Sequence, residues 1–305
     1  SYSGSGSAVT VDLGFEPQWV MIKNTTSSNS NCSWMIIDSM RGHGSSFRTA
    51  NSRTLKANSS DEEKTEGRVN FIANGLYVGA YGDSVNSPGE NYVYMAIRRG
   101  PLNPPSSSTE VFSIAQRDTS KPHYNSTAYH VDMAFKIYQL SGYGDSWKKY
   151  IQSRLTGERH LQTQSGGTEG NTSENTWDHQ NGWSEDSGSN DYYSHMWKRA
   201  PSYFDVVAYI GTGSATTIAH NLDAAPEMMW IKGRDVNDNW VVYHKDFASN
   251  KFAQLNSTGS AGVNANMLTT TAPTDSVFSI GTDGGTNNSG SLYIAYLFAT
   301  TDGVS

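Results

Sequence analysis

One pattern written three times along the chain restricts the fold more than any other feature, because a repeated unit is one packing solution used again. The first copy ends in Asn91-Tyr92-Val93-Tyr94-Met95-Ala96-Ile97-Arg98-Arg99-Gly100-Pro101. About 100 residues later comes Asp191-Tyr192-Tyr193-Ser194-His195-Met196-Trp197-Lys198-Arg199-Ala200-Pro201. The shared frame is a polar residue, Tyr, an aromatic-rich strand, two basic residues, a small residue and Pro. Leu292-Tyr293-Ile294-Ala295-Tyr296-Leu297-Phe298 keeps the strand and drops the basic pair. The beginnings repeat as well, since Tyr2-Ser3-Gly4-Ser5-Gly6-Ser7-Ala8 parallels Tyr209-Ile210-Gly211-Thr212-Gly213-Ser214-Ala215. A turn and a strand follow each, with Pro17-Gln18-Trp19-Val20-Met21-Ile22-Lys23 in one and Pro226-Glu227-Met228-Met229-Trp230-Ile231-Lys232 in the other. The middle copy offers Asp132-Met133-Ala134-Phe135-Lys136-Ile137, without the proline. A Trp opens the next strand every time, at Trp34, Trp147 and Trp240, and Asn74-Gly75-Leu76 corresponds to Asn181-Gly182-Trp183.

Three modules follow from this spacing, 1–104, 105–202 and 203–305, divided where Gly, Pro and Ser accumulate at Gly100–Ser108 and near Ala200–Tyr203. Strand-sized runs alternate with Gly, Asn and Ser turns roughly every 8–12 residues, the pattern of a sandwich or small barrel. In the first copy the expected strands are 7–11, 18–23, 34–38, 53–57, 68–72, 76–79 and 91–98. Alternation is incomplete in several of them, which predicts burial on both faces. Ser146–Arg159 is the best helical candidate, and by analogy with Trp34–Arg53 it reads as strand, turn, strand. The fold class is all-β, three tandem β-sandwich-like modules.

Composition agrees. Charged residues are 17% and aromatics 11%, with 17 Tyr, 8 Trp and 29 Gly. Aromatic rings suit a pleated surface and glycine supplies tight turns, whereas a disordered chain would lack the rings. A net charge of −7 without a basic cluster larger than pairs such as Lys148-Lys149 and Arg98-Arg99 argues against nucleic acid as a partner. No apolar run approaches the ~20 residues of a membrane span. Cys32, the only cysteine, excludes an intrachain disulfide and reads as structural.

The combination of Tyr-x-Gly-x-Gly-Ser, a Pro-containing turn before Trp19-Val20 and Trp230-Ile231-Lys232, and Tyr293-Ile294-Ala295-Tyr296-Leu297-Phe298-Ala299 resembles the repeat modules of large virion proteins of marine bacteriophages, especially the cyanophage type. The resemblance implies a virion structural protein of lectin-like β-sandwich modules, a tail-fibre or appendage component at the extracellular surface of the particle. Such a protein acts in assembly and host-surface adhesion. Its partners would be further copies of itself, other virion proteins and a host-surface glycan. No catalytic residue carries over. The ending Thr301-Asp302-Gly303-Val304-Ser305 matches a module that precedes another start, so one unit of a longer array is expected.

Candidate sites are few. No nucleophile elbow, zinc-protease helix, phosphate-binding loop or Cys-x-x-Cys stands in the chain, and the expectation is a protein that is not an enzyme. Asp61-Glu62-Glu63 offers carboxylates for a polysaccharide depolymerase, although a solvated loop explains them as well. Five of the eight histidines, His123, His130, His160, His179 and His195, lie in the middle copy, where Asp178 with His179 and Asp191 with His195 make partial ligand pairs only. Calcium is the one cofactor the loops can be read for, through Asp283 and Asn287 in one and Asp83 and Asn86 in the other, yet tight turns use the same residues. Glycan contact is expected at Trp177, His179, Trp183 and Tyr192, because flat rings beside polar groups suit a sugar face. Trp177 has no counterpart in the other copies and is the expected surface ring, while Trp183 can equally fill the core place of Leu76. A lectin-like glycan or receptor binder and a non-viral surface or filament protein remain the alternative functions.

Overall fold

The computed structural model describes residues 1–43, 52–80, 82–100, 102–118, 124–125, 129–138, 149–171, 177–184 and 192–305. It is an all-β protein of antiparallel sheets. The first stretch holds β1 (Tyr2–Ser3), β2 (Val9–Asp12), β3 (Pro17–Asn24), β4 (Met35–Asp38) and β5 (Ser52–Lys56). It continues with β6 (Lys64–Gly67), β7 (Val69–Ile72), β8 (Gly75–Val78) and β9 (Asn91–Arg98). Every expected strand is present with its ends within two residues, and β1 and β6 are additions.

Next come β10 (Phe112–Gln116), β11 (Tyr124–Asn125), β12 (Met133–Tyr138) and β13 (Lys149–Ser153). β14 (Arg159–Gln162), β15 (Gly170–Asn171), β16 (Gly182–Trp183) and β17 (Tyr192–Trp197) complete that stretch. The strand, turn, strand reading therefore holds from Lys149 onward, while Trp147 lies outside the described residues. The last stretch contains β18 (Phe204–Ile210), β19 (Thr216–Ala219), β20 (Met228–Gly233) and β21 (Val241–His244). It ends with β22 (Lys251–Gln254), β23 (Gly262–Val263), β24 (Val277–Ile280), a one-turn helix α1 (Gly284–Asn287) and β25 (Leu292–Phe298).

Three six-stranded sheets form among the described residues, in the orders β1-β9-β3-β4-β5-β6, β10-β17-β12-β13-β14-β15 and β18-β25-β20-β21-β22-β23. Strand for strand these are one topology. Smaller sheets accompany them, β2-β8-β7, β11-β16 and β19-β24. Registers agree too: Ile22 pairs with Tyr94, Lys136 with Ser194 and Ile231 with Ala295, each joining β3, β12 or β20 to the last long strand of its sheet. Leu76, Trp183 and Phe278 hold matching places in the small sheets and are all fully buried.

The chain divides into two compact units. Unit 1 is Ser1–Pro101 with Arg154–Arg159, and unit 2 is Leu102–Ser153 with His160–Ser305. In unit 1, β3 shows why the sheet has two unlike faces. Val20, Ile22 and Asn24 turn into the core with Ile37, Leu76 and Phe71, whereas Trp19, Met21 and Lys23 turn away and are only half-buried. The six-residue insert 154–159 completes this unit, since the Arg154 carbonyl accepts from His43 N at 2.9 Å and its guanidinium donates to the Met40 carbonyl.

In unit 2 the second and third large sheets meet through the faces turned away from their own cores. Tyr293, Tyr209 and Phe278 mark the inner side of the third sheet, with rings 5.2 and 6.1 Å apart. Their neighbours Tyr296 and Phe298 point the other way, toward the second sheet. Tyr296 there is fully buried beside Ser153 of β13 and stacks on Trp240 at 6.3 Å. Trp240 in turn donates Nε1–H to the Gln162 carbonyl at 2.9 Å. Trp197 of β17 reaches Phe204 of β18 at 6.3 Å. Covered on both sides, β25 is buried over Leu292–Leu297, in keeping with its unbroken apolar run.

Candidate functional site

The aromatic cluster expected to meet sugar is a core. Trp177 and Trp183 are 1% and 0% exposed, with their rings stacked 5.4 Å apart at 18°. Tyr129, Val131, Ala134 and Met196 surround them. The Trp183 Nε1–H donates to Ser194 Oγ at 2.9 Å, so the one polar atom of that indole is satisfied internally. The surface placement of Trp177 is thereby corrected. Its polar neighbours Asp178 and His179 stay at the surface, 4.0 Å apart, while the ring folds inward to fill the space behind β17. Trp183 occupies the core place of Leu76. Tyr192 is half-buried against the same cluster, and the Lys136 ammonium sits 4.2 Å from its ring centre. The structure thus brings Trp177, Trp183 and Tyr192 together as packing.

The oxygen-rich loops are structural clasps. Asn287 is fully buried; its Oδ1 accepts from Thr212 N at 2.7 Å and its Nδ2 donates to the carbonyls of Ser214 at 2.7 Å and Gly281 at 2.5 Å. Asn86, equally buried, accepts from Ser5 N at 2.9 Å and donates to the carbonyls of Ser7 at 2.7 Å and Gly79 at 2.8 Å. These are the same three bonds on the two Tyr-x-Gly-x-Gly segments, and they account for that motif. A Cβ on Gly4 or Gly211 would stand 2.2 Å from the carbonyl oxygen of Ser87 or Asn288. Gly6 and Gly213 sit at φ +73° and +72°, where other residues are strained. Tyr2 stacks on Tyr92 at 5.0 Å as Tyr209 does on Tyr293, and the hydroxyls of Tyr92 and Tyr293 accept from Ser87 N and Asn288 N. Asp283 caps α1 through Gly285 N at 2.8 Å and accepts from Asn264 at 2.8 Å. Asp83 borders a cavity of ≈ 230 Å³ whose wall includes Lys56 and Arg68, an electrostatic setting opposed to a divalent cation.

The other candidates disperse. His195 lies among Phe112, Phe135 and Trp197, and loss of hydration lowers its pKa. Its expected partner Asp191, like His123, lies outside the described residues. His130 stands 3.7 Å from Asp132, and His160 meets the Tyr150 ring at 4.3 Å. No group of three or more metal-ligating residues forms among the described residues. Cys32 is buried, with Sγ 3.4 Å from the Asp83 carbonyl.

Of the acidic run, Glu62 is solvated. Glu63 instead joins an ion-pair chain that the sequence did not reveal, bonding Arg41 at 3.1 Å and Arg53 at 2.6 Å. Arg41 also holds Asp38, and Arg53 holds Glu158 of the insert at 3.2 Å. Desolvation raises the Glu158 pKa against the pull of Arg53.

What sequence reasoning missed is a surface. On the large sheet of unit 1, Val93, Met95 and Ile97 of β9 are 42%, 53% and 46% exposed, flanked by half-buried Met21 and Trp19 and by Leu55 at 39%. The alternation Val93-x-Met95-x-Ile97 was a signal for it, but Tyr92 and Tyr94 between them are apolar enough to hide which set faces in.

Fold and geometry define an all-β protein that reuses one sheet topology and one loop clasp. The chain belongs to the family described as a domain of unknown function, DUF7483, whose model matches residues 1–101 and 156–305. Neither a curated protein nor a solved structure matches it.

Proposed function

We propose that the chain is a structural component of a bacteriophage particle, a tail-fibre or appendage protein that works by assembly and host-surface adhesion. The observation that carries this reading is the reuse of one six-stranded sheet and one Asn–Gly–Tyr clasp along the chain. Repeated modules that pack on their neighbours make extended, mechanically continuous bodies, and display does not require a catalytic cleft. The open apolar sheet face of unit 1 also supports an assembling protein, because large exposed patches of this kind mark interaction sites. The burial of Trp177 and Trp183 takes those two rings out of a sugar platform.

Electron microscopy of virus particles labelled with a gold-conjugated antibody to this chain tests the reading. Label on fibres or other appendages is expected. Label on cell surfaces with none on particles would favour a non-viral surface protein and overturn it.

A further inference from the structure

We infer that the outer face of the first large sheet, centred on Met95, binds the same face of a second copy of this chain. The inference rests on the assembly reading above and names its partner. Unit 2 supplies the precedent. Tyr92, Tyr192 and Tyr293 are equivalent, so Val93, Met95 and Ile97 correspond to Tyr193, His195 and Trp197 of the second sheet and to Ile294, Tyr296 and Phe298 of the third. In the third sheet Ile294 and Tyr296 are 0% exposed because the second sheet covers them back to back. In unit 1 the equivalent residues are open. The same contrast holds at the head of the neighbouring strand. Trp34 and Trp240 both have their main-chain N–H held by an asparagine, Asn58 or Asn256, yet Trp240 is sealed under Gln162 and Trp34 is exposed.

One topology therefore appears three times, and two copies already pair through this face. The partner that fits the remaining copy by shape and chemistry is an identical face, which a two-fold axis brings together. Lys23 does not oppose such closure. Its Nζ folds onto the Cys32 carbonyl, and the equivalent Lys232 donates to the carbonyls of Gly233 and Val236 while fully buried. Strands spaced ~4.8 Å apart and rising ~3.3 Å per residue give these six, two to eight residues long, a footprint of roughly 500 Å². The turns that flank the face must add contact to reach the ~800 Å² per partner of a stable specific interface.

Light scattering on the purified chain and on two variants tests this. The wild type is expected at an even multiple of 33.3 kDa, and Met95→Glu at half the wild-type mass with an unchanged circular dichroism spectrum. Val263→Glu, on an exposed apolar residue of unit 2, is expected to keep the wild-type mass. If Met95→Glu misfolds, Val93→Glu reads the same face. A wild type that multimerises but keeps its mass in the folded β9 variant overturns this surface while leaving the assembly reading. A wild type that stays monomeric at high concentration overturns both.

Discussion

Replacing Asn287 by Ala should destabilise unit 2 by about 3 kcal/mol, and replacing Asn86 should do the same to unit 1. Each side chain is fully buried and makes three bonds, so truncation strands one N–H and two carbonyls. Their fates differ. Gly281 and Gly79 are buried, and an unsatisfied carbonyl there costs about 1–3 kcal/mol. Thr212, Ser214, Ser5 and Ser7 are exposed, so water takes over most of their bonding and the loss is nearer ~0.5 kcal/mol each. The sum is about 3 kcal/mol, or roughly 10 °C in melting temperature for unit 2 and more for the smaller unit 1. Thermal melts followed by near-ultraviolet circular dichroism report it, because stacked Tyr2–Tyr92 and Tyr209–Tyr293 sit beside the two clasps. Asn→Asp at either site should cost more, since a carboxylate cannot donate to two carbonyls and would be repelled by them. Losses below about 1 kcal/mol in both alanine variants would refute the claim that these amides hold the loops. A large loss at one site with none at the other would refute their equivalence.

Trp183→Ala should cost about 3–5 kcal/mol, the usual penalty for emptying a large core site, and should abolish the coupled indole circular dichroism signal of the Trp177–Trp183 stack. An unchanged denaturation midpoint would contradict their burial. Lys232 makes a pH prediction. Desolvation lowers its pKa from 10.5 to about 8, so between those values the unfolded chain holds more protons and the contribution of this group to stability rises with pH. Tyr293, pushed up to about 12 by burial, acts oppositely above pH 10, where the unfolded chain ionises first. Denaturant unfolding of wild type and Lys232→Met at pH 8 and at pH 10 should show the stability difference moving in favour of the wild type at the higher pH. A pH-independent difference would rule out the lowered pKa of Lys232.

The strands of the first copy were legible because turn residues and apolar runs act locally, and β3 and β9 were placed almost to the residue. The Tyr-x-Gly-x-Gly segments and the loops of Asn86 and Asn287 were visible as matching features, but whether those loops take up calcium or form ordinary tight turns stayed open. A loop rich in Asn and Asp oxygens looks the same whether the oxygens await an ion or are already bonded to their own backbone. Trp177 was misplaced for a related reason. Its neighbours Asp178 and His179 are polar, and nothing local says that the ring turns inward against Trp183. In the Asp38–Arg41–Glu63–Arg53–Glu158 chain the links from Arg41 to Glu63 and from Arg53 to Glu158 span long stretches of sequence, so no local pattern announces it.

The sequence by itself determined the all-β class, the repeated frame and the positions where only glycine fits, because all three depend on short-range sterics and periodicity. Tertiary structure alone decided which apolar face is sealed. Val93, Met95 and Ile97 hold the positions of Ile294, Tyr296 and Phe298, yet the first set is open whereas Ile294 and Tyr296 are sealed. Alternation defines a face, whereas its burial depends on which distant segment comes to lie on it.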